Sequence, residues 1–300
     1  MNELENIEIF GRRIFFLNPA FVIRKEIFTS LQDNEYEAYI IDTYHEAKNI
    51  MRHNPNSILF INVDAQIPMN AWYNFVRSFE KEEVLRSINI YIMSERIKQS
   101  DKLLFEAAPE VAGEIIAMDD TLENLAERFS KILTDLNAKG KRKYVRANLI
   151  QDTDSALFWN YGTKMHQLKL LDISSVGMSV RVPNQIGNIV TANTVLKDIT
   201  IRLGTSQFVV EAVVFAVKND ADKIIWILLL LPNTANKIKN SIKNYIYEKN
   251  QDSILRSIDN DEPDNDDYTK LNYYNLATKK KVDNSPSENN LSKETPPYNL

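Results

Sequence analysis

The sequence predicts two folded units in succession: an open, doubly wound α/β domain, then a small antiparallel β-barrel followed by a C-terminal helix. Residues 12–137 alternate short apolar runs with apolar stripes at helical spacing, the pattern of a sheet covered on both faces. Residues 144–232 instead place strand-like runs close together with only polar turns between them. The 300 residues also suffice for about two domains of ordinary size.

The first unit rests on five runs: IFFL (Ile14–Leu17), AYII (Ala38–Ile41), ILFINV (Ile58–Val63), INIYIM (Ile88–Met93) and EIIAM (Glu114–Met118). Each is short, apolar on both faces and partly β-branched, as a buried parallel strand requires. Between them, Ala20, Ile23, Ile27 and Leu31 form one helical stripe, and Trp72, Phe75, Val76 and Phe79 another. Leu122, Leu125, Phe129, Ile132, Leu133 and Leu136 form the last, with Asp120 and Glu123 ahead of it at capping-box spacing. At Asn137–Lys143 (NAKGKRK), Gly140 and a basic cluster mark a helix stop and a linker. The barrel runs include HQLKLLDI, GMSVRV and LKDITIRL. QFVVEAVVFAVK and KIIWILLLL, separated by Asn219–Asp222, read as a hairpin. Beyond Pro232, Ile238, Ile242, Tyr245 and Ile246 recur at helical spacing and make one amphipathic helix. These boundaries give domains at 1–137 and 138–250. Residues 251–300, rich in Asn, Asp, Ser, Lys and Pro, are expected to be a disordered tail, because such composition buries too little apolar surface to offset chain entropy.

Composition excludes several classes. The net charge of −5 disfavours nucleic acid as a partner. With no cysteine there is no disulfide, thiolate metal site or thiol nucleophile. The acidic start MNELENIEIF lacks the basic region and apolar core of a secretory signal, and Ile224–Leu231 is far shorter than the roughly 20 residues of a membrane span. A cytoplasmic protein with no membrane span is the expectation. No P-loop, GxGxxG, GxSxG or HExxH pattern is present. His45, His53 and His166 have no spacing that suggests a metal or a triad.

Two patterns carry chemistry. The first is Arg142-Lys143-Tyr144-Val145-Arg146, preceded by Lys141. The second is Asp172-Ile-Ser-Ser-Val-Gly, with Asp172, Ser174 and Gly177. A guanidinium fork binds phosphate oxygens and stacks on a base. Two arginines four apart on an extended arm point to one side. A carboxylate accepts from the N1–H and exocyclic amine of guanine, a serine hydroxyl bonds base or backbone, and glycine permits positive φ or close ligand approach. The set suits a small ligand bearing both phosphate and guanine.

RKYVR followed by DISSVG at the start of a small barrel resembles the PilZ domain, whose motifs RxxxR and [D/N]xSxxG are both complete here. The resemblance covers about residues 138–250, including the last hairpin and the helix NKIKNSIKNYIYEKN. It implies cyclic di-GMP as ligand, with no further cofactor or metal. Arg142 and Arg146 would hold phosphates and stack on guanines, Asp172 and Ser174 would read a guanine edge, and Gly177 would shape the turn. Lys141 stands where PilZ proteins vary and where ligand stoichiometry is affected.

The first unit resembles a response-regulator receiver in architecture but lacks its chemistry. Asn18-Pro19 stands in place of the acidic pair, Asn62 in place of the phosphoacceptor with Asp64 displaced into the loop, and AMDD lacks the lysine. Ser94 matches the hydroxyl position. Asparagine forms no acyl phosphate, so the reading is a non-phosphorylatable docking or dimerisation platform. The strand-end acids Asp42, Asp119 and Asp120 read as helix caps before metal ligands. The expected function is a non-enzymatic cyclic di-GMP receptor that signals to a protein partner. By family analogy alone, that partner is a flagellar-motor or other signalling component in motility or attachment. Whether the chain is a homo-oligomer is left open. The alternative is a structural adaptor whose barrel binds no nucleotide.

Overall fold

The computed structural model describes residues 8–220 and 223–283. The first domain is an all-parallel sheet of order β2-β1-β3-β4-β5, from β1 (Ile14–Leu17), β2 (Ala38–Ile41), β3 (Ile58–Asn62), β4 (Asn89–Ser94) and β5 (Ile116–Ala117). The first two strands coincide with the apolar runs. β5 is much shorter than its run, because only Met93 and Ser94 at the end of β4 pair with it. Ile14, Phe16, Ile58 and Phe60 face α1 (Phe28–Asp33), which continues a π-helical turn at Ile23–Ile27, and α5 (Leu122–Asp135). Phe15, Leu17, Leu59 and Ile61 face α2 (Tyr44–Arg52) and α3 (Met69–Arg77) on the other side. Burial on both faces is why the strands read as continuous apolar runs. α4 (Gln99–Glu106) precedes β5. The cap of α5 sits one residue later than expected. Thr121 is extended, its Oγ1 accepts from Asn124 N at 3.3 Å, and Asp120 accepts from Thr121 N and Asn124 Nδ2 at 2.8 and 2.7 Å.

The second domain closes a six-stranded antiparallel ring. β7 (Ala156–Tyr161), β8 (Lys164–Ser174), β9 (Gly177–Val182), β10 (Val195–Leu203), β11 (Ser206–Asp220) and β12 (Lys223–Leu230) join in the order β8-β7-β10-β11-β12-β9, and β9 returns to β8. β6 (Arg146–Asn148) lies along the end of β8, with Arg146 opposite Ser174 and Asn148 opposite Asp172. Asp220 pairs with Lys223 across the expected hairpin, whose tip lies outside the described residues. Trp226 is wholly buried in the barrel, and its Nε1 donates at 3.0 Å to the carbonyl of Gly187, which ends α6 (Asn184–Gly187).

α7 (Asn236–Arg256) joins the two bodies. Ile242 and Ile246 are buried at its barrel end, where Lys249 and Tyr245 meet the Asp152 carboxylate at 2.9 and 3.1 Å. Farther along, Gln251 accepts from Ile40 N at 3.0 Å and donates to Ile40 O at 2.9 Å, on the side of β2 away from β1. Tyr247 Oη reaches the carbonyls of Gln32 and Tyr36 at 3.1 and 2.8 Å. Among the described residues, no helix is long and apolar enough to cross a membrane.

The expectation of disorder from residue 251 differs from the described structure. Helix α7 continues to Arg256, and the chain then crosses α2 and α3 of the first domain before α8 (Tyr273–Asp283). His45 Nδ1 lies 2.9 Å from the carbonyl of Asp264, Asn49 donates to that of Glu262 at 2.8 Å, and His53 meets Asp261 at 2.9 Å. Buried Lys48 lies 3.7 Å from Asp264 and 4.9 Å from the Tyr268 ring. The physical reason is that interleaved tyrosines supply the apolar area that the average composition hides. Tyr268 packs edge-on against Phe75 at 5.2 Å, and Tyr274 against Tyr73 at 5.8 Å. The tail expected over 284–300 lies outside the described residues.

Asn74 is 1% exposed, and its side chain serves three backbone groups of this strap: the carbonyls of Tyr268 and Leu271 at 2.8 and 2.7 Å, and Tyr274 N at 2.9 Å. Asn74→Ala leaves these groups without partners. Limited proteolysis is expected to cut the variant within 257–283 at least several-fold faster than wild type, and equal rates would refute this anchor. A second prediction concerns pH. Burial opposes the charge on Asp152, but hydrogen bonds from Lys249, Ser155 and Tyr245 prevail and hold its pKa at about 2. A depressed pKa contributes stability above the unfolded value, which is lost as pH falls through the folded one. Asp152→Asn should therefore cost about 2 kcal/mol at neutral pH. The difference from wild type should shrink below pH 4 and fall to a small fraction by pH 2, as read by chemical denaturation across that range.

Candidate functional site

The arginine arm begins where the two ends of the first domain meet. Segments 8–12 and 138–142 run antiparallel: Arg12 N donates to Ala138 O, Lys141 N to Glu8 O and Arg142 N to Ile9 O, each at 2.9 Å. The backbones pass so closely that a Cβ on Gly140 would lie 2.3 Å from Gly11 N, while Gly11 itself takes φ +82°. Only glycine fits either place. This crossing sets the Arg142 guanidinium 4.4 Å from the centre of the Phe10 ring, a cation–π contact. Burial, with the Arg146 charge added, pushes Arg142 below the usual arginine range. Lys141 turns away and pairs with Glu8.

Arg146 opens β6, and Asp172 lies opposite Asn148 on β8. Their side chains meet, Nη1 to Oδ1 at 3.1 Å, and Ser179 Oγ donates to the other Asp172 oxygen at 2.5 Å. The two motifs thus come together. Ser174 is buried, and its hydroxyl donates to Gly177 O at 3.0 Å, closing the β8–β9 turn. Gly177 does not take positive φ; it allows β9 to approach β12, since a Cβ there would lie 2.4 Å from Leu228 O. In this arrangement Ser174 and Gly177 shape the support under Asp172.

Sequence reasoning passed over Glu35, at φ +60° in the turn between α1 and β2. One of its carboxylate oxygens accepts from Val145 N and the other from Ser175 Oγ, both at 2.9 Å. A single first-domain side chain therefore holds both the arm and the turn of the second motif. No local pattern signals this, because the partners lie 110 and 140 residues away.

Arg142 and Arg146 open onto a cleft of about 760 Å³ between the two domains and α7. Phe10, Arg12, Arg13, Glu37, Tyr39 and Asn148 also line it. Four arginines line the cleft with one carboxylate, Glu37, while Asp172, outside the lining, pairs with Arg146, in a protein whose net charge is −5. Such a concentration of guanidinium groups favours an anionic ligand. The Asn250 side chain donates to Arg146 O at 3.1 Å, which brings α7 to the same place.

At the C-terminal end of the parallel sheet, Asp64 is fully engaged. Its carboxylate accepts from Ser94 Oγ at 2.5 Å and Glu95 N at 2.7 Å, while Asp64 N donates to Asn62 Oδ1 at 3.1 Å. Asp42 pairs with Arg24 at 2.6 Å. Among the described residues no cluster of three or more His, Asp or Glu could hold a metal.

The chain is similar to PilZ proteins of solved structure. The PilZ domain of YcgR from Escherichia coli with c-di-GMP matches at 12% identity and a TM-score of 0.35, over 40% of this chain and 98% of that one. The Bacillus subtilis inhibitor of motility MotI matches at 24% identity and a TM-score of 0.31, over 37% of this chain and 52% of its own. Borreliella burgdorferi PlzA in complex with c-di-GMP matches at 15% identity and a TM-score of 0.24, over 43% of this chain and 50% of its own. The match thus spans nearly all of the isolated YcgR domain but about half of MotI and PlzA. No protein-family model and no curated protein matches the sequence.

Glu35→Ala leaves Val145 N–H and Ser175 O–H without their acceptor, a loss of about 1–3 kcal/mol. The thermal midpoint followed by tryptophan fluorescence should fall by several degrees. An unchanged midpoint would mean that the first domain does not hold the arm.

Proposed function

We propose that the protein is a non-catalytic cyclic di-GMP receptor of the PilZ kind, with its ligand in the cleft beside Arg142 and Arg146. The observation that carries this reading is the 3.1 Å meeting of Asp172 with Arg146, which itself lines a cleft rich in arginine. The phosphate-binding group and the guanine-reading group are within reach of one small molecule. Arg142 and Arg146 take phosphate oxygens and stack on guanine, Asp172 accepts from a guanine edge, and Ser174 and Gly177 keep the turn beneath it. Lys141 acts through Glu8, by fixing where the arm leaves the first domain.

The energies are adequate. The Arg146–Asp172 pair is exposed by 44% and 32%, and such screened pairs are worth about 0–1 kcal/mol, so a ligand displaces it at little cost. Micromolar binding needs about 8 kcal/mol. Three or four charge-assisted bonds of about 1.5–3 kcal/mol each, with stacking, supply that after ordering costs. The arm is tied to residues 8–12 and to Glu35, so a ligand that moves it also pulls on the first domain. The first domain then serves as a docking platform for a protein partner, with Asn62 rather than an aspartate ending β3 and Asp64 held by Ser94 and Glu95 N. A motility or attachment output rests on family analogy.

Calorimetric titration with cyclic di-GMP, alongside cyclic di-AMP and GTP, tests the reading. Arg142→Ala and Arg146→Ala should each weaken binding at least a hundredfold, with circular dichroism unchanged. Cyclic di-AMP, which lacks the amine and N1–H that Asp172 reads, should bind far more weakly. Undiminished binding in the arginine variants would remove this site. No binding by the wild type would favour the adaptor reading.

A further inference from the structure

The strap over α2 and α3 is held in the manner of a bound peptide. Among residues 257–279 only Tyr268 is buried as a whole residue, with the carboxylate of Asp264 beside it. The first domain supplies the matching parts. Lys48 on α2 is 3% exposed, lies 3.7 Å from Asp264, and sets its ammonium 4.9 Å from the centre of the Tyr268 ring. Burial pushes its pKa below the usual lysine range, and the Asp264 and Asp266 carboxylates oppose that. Asn49 and Asn74 serve the main chain instead, at the carbonyls of Glu262, Tyr268 and Leu271 and at Tyr274 N. Main-chain bonds hold a segment of any sequence, while side-chain contacts choose among segments. At the far end the Tyr273 ring meets Arg77 at 5.8 Å, and Tyr274 Oη donates to Asp101 at 2.6 Å.

This face is unsuited to standing bare. A buried ammonium deprived of its carboxylate and its ring is strongly unfavourable, so whatever covers α2 must bring both groups. Charge narrows the choice further. His45, Lys48 and His53 all meet the stretch 259–267, which holds six acidic residues and no basic one. Yet the present occupant is not packed like a core element. A tethered segment acts at an effective concentration of about millimolar, so a few anchors suffice to keep it in place. We propose that the α2–α3 face is the docking groove of the first domain for a partner protein's acidic, extended segment, one with a tyrosine four residues after an aspartate, and that residues 257–283 fill the groove in cis until such a segment replaces them. This rests on the first domain being a docking platform. It does not depend on where a nucleotide binds.

A fluorescently labelled peptide of residues 257–279 is titrated with full-length protein and followed by anisotropy, in the absence of nucleotide. Tyr268→Ala loosens the resident strap and leaves every groove residue in place. This variant should bind the peptide at least tenfold more tightly than wild type, whose groove is filled. Adding Lys48→Met should weaken that binding at least tenfold, with circular dichroism unchanged. A peptide carrying Asp264→Asn and Tyr268→Ala should not bind measurably. Equal binding by wild type and Y268A, or binding that Lys48→Met leaves unchanged, overturns the inference, as does equal binding of a scrambled peptide. A wild type that sediments as a dimer dissociated by the peptide overturns the partner in favour of a second copy's strap. Should Y268A lose its fold, Asp264→Asn in the full chain takes its place with a gain of at least threefold, and no gain overturns the inference. Failure of the peptide removes this groove alone, whereas failure of the cyclic di-GMP titration removes the receptor reading alone.

Discussion

The crossing of Gly11 with Gly140 decides where everything else in the cleft can be. Two backbones pass with no room for a side chain on either, and three hydrogen bonds of 2.9 Å lock them. Because Phe10 and Arg12 flank one glycine, and Arg142 follows the other, the crossing delivers cationic and aromatic groups to one point from chain positions about 130 apart. The first domain would otherwise be joined to the barrel by an ordinary basic linker. With the crossing in place, the linker becomes a wall.

The interactions holding the arm differ in strength along its length. At its root they are backbone bonds and a steric fit, which tolerate little movement. At its tip the Arg146 backbone pairs with Ser174 of β8 and accepts from Asn250, while its side chain is held by an exposed ion pair with Asp172. Between them, Glu35 grips Val145. A firmly held backbone and an exposed side-chain ion pair leave the Arg146 guanidinium free to change partners without dissolving the domain junction.

Much of this was legible in the chain. β1 and β2 follow IFFL and AYII residue for residue, because strands buried on both faces carry no polar positions to blur their ends. The two motifs were legible because each is local, and their meeting followed from the barrel. What escaped notice depends on distant pairing. Nothing near Glu35 or Arg12 announces a partner more than a hundred residues away, although the glycines at 11 and 140 are a trace of it. The strap after Arg256 is not legible in composition because averaged polarity outweighs a few well-placed aromatic rings, and because the burial of Asn74 is a property of what lands on it. The α5 cap moved from Asp120 to Thr121 because both side chains accept bonds there, and spacing alone does not rank them.

The Gln251 amide has a wider meaning. It meets both the N–H and the C=O of Ile40, as a neighbouring strand would, at the end of a parallel sheet. A terminal strand with both groups bare is a template for pairing with another chain. Here one helical side chain impersonates that missing neighbour. Any rearrangement that lifts the helix from the first domain therefore does more than change an angle. It also bares a sticky margin of the sheet, so the helix that joins the domains doubles as a guard against unwanted self-association.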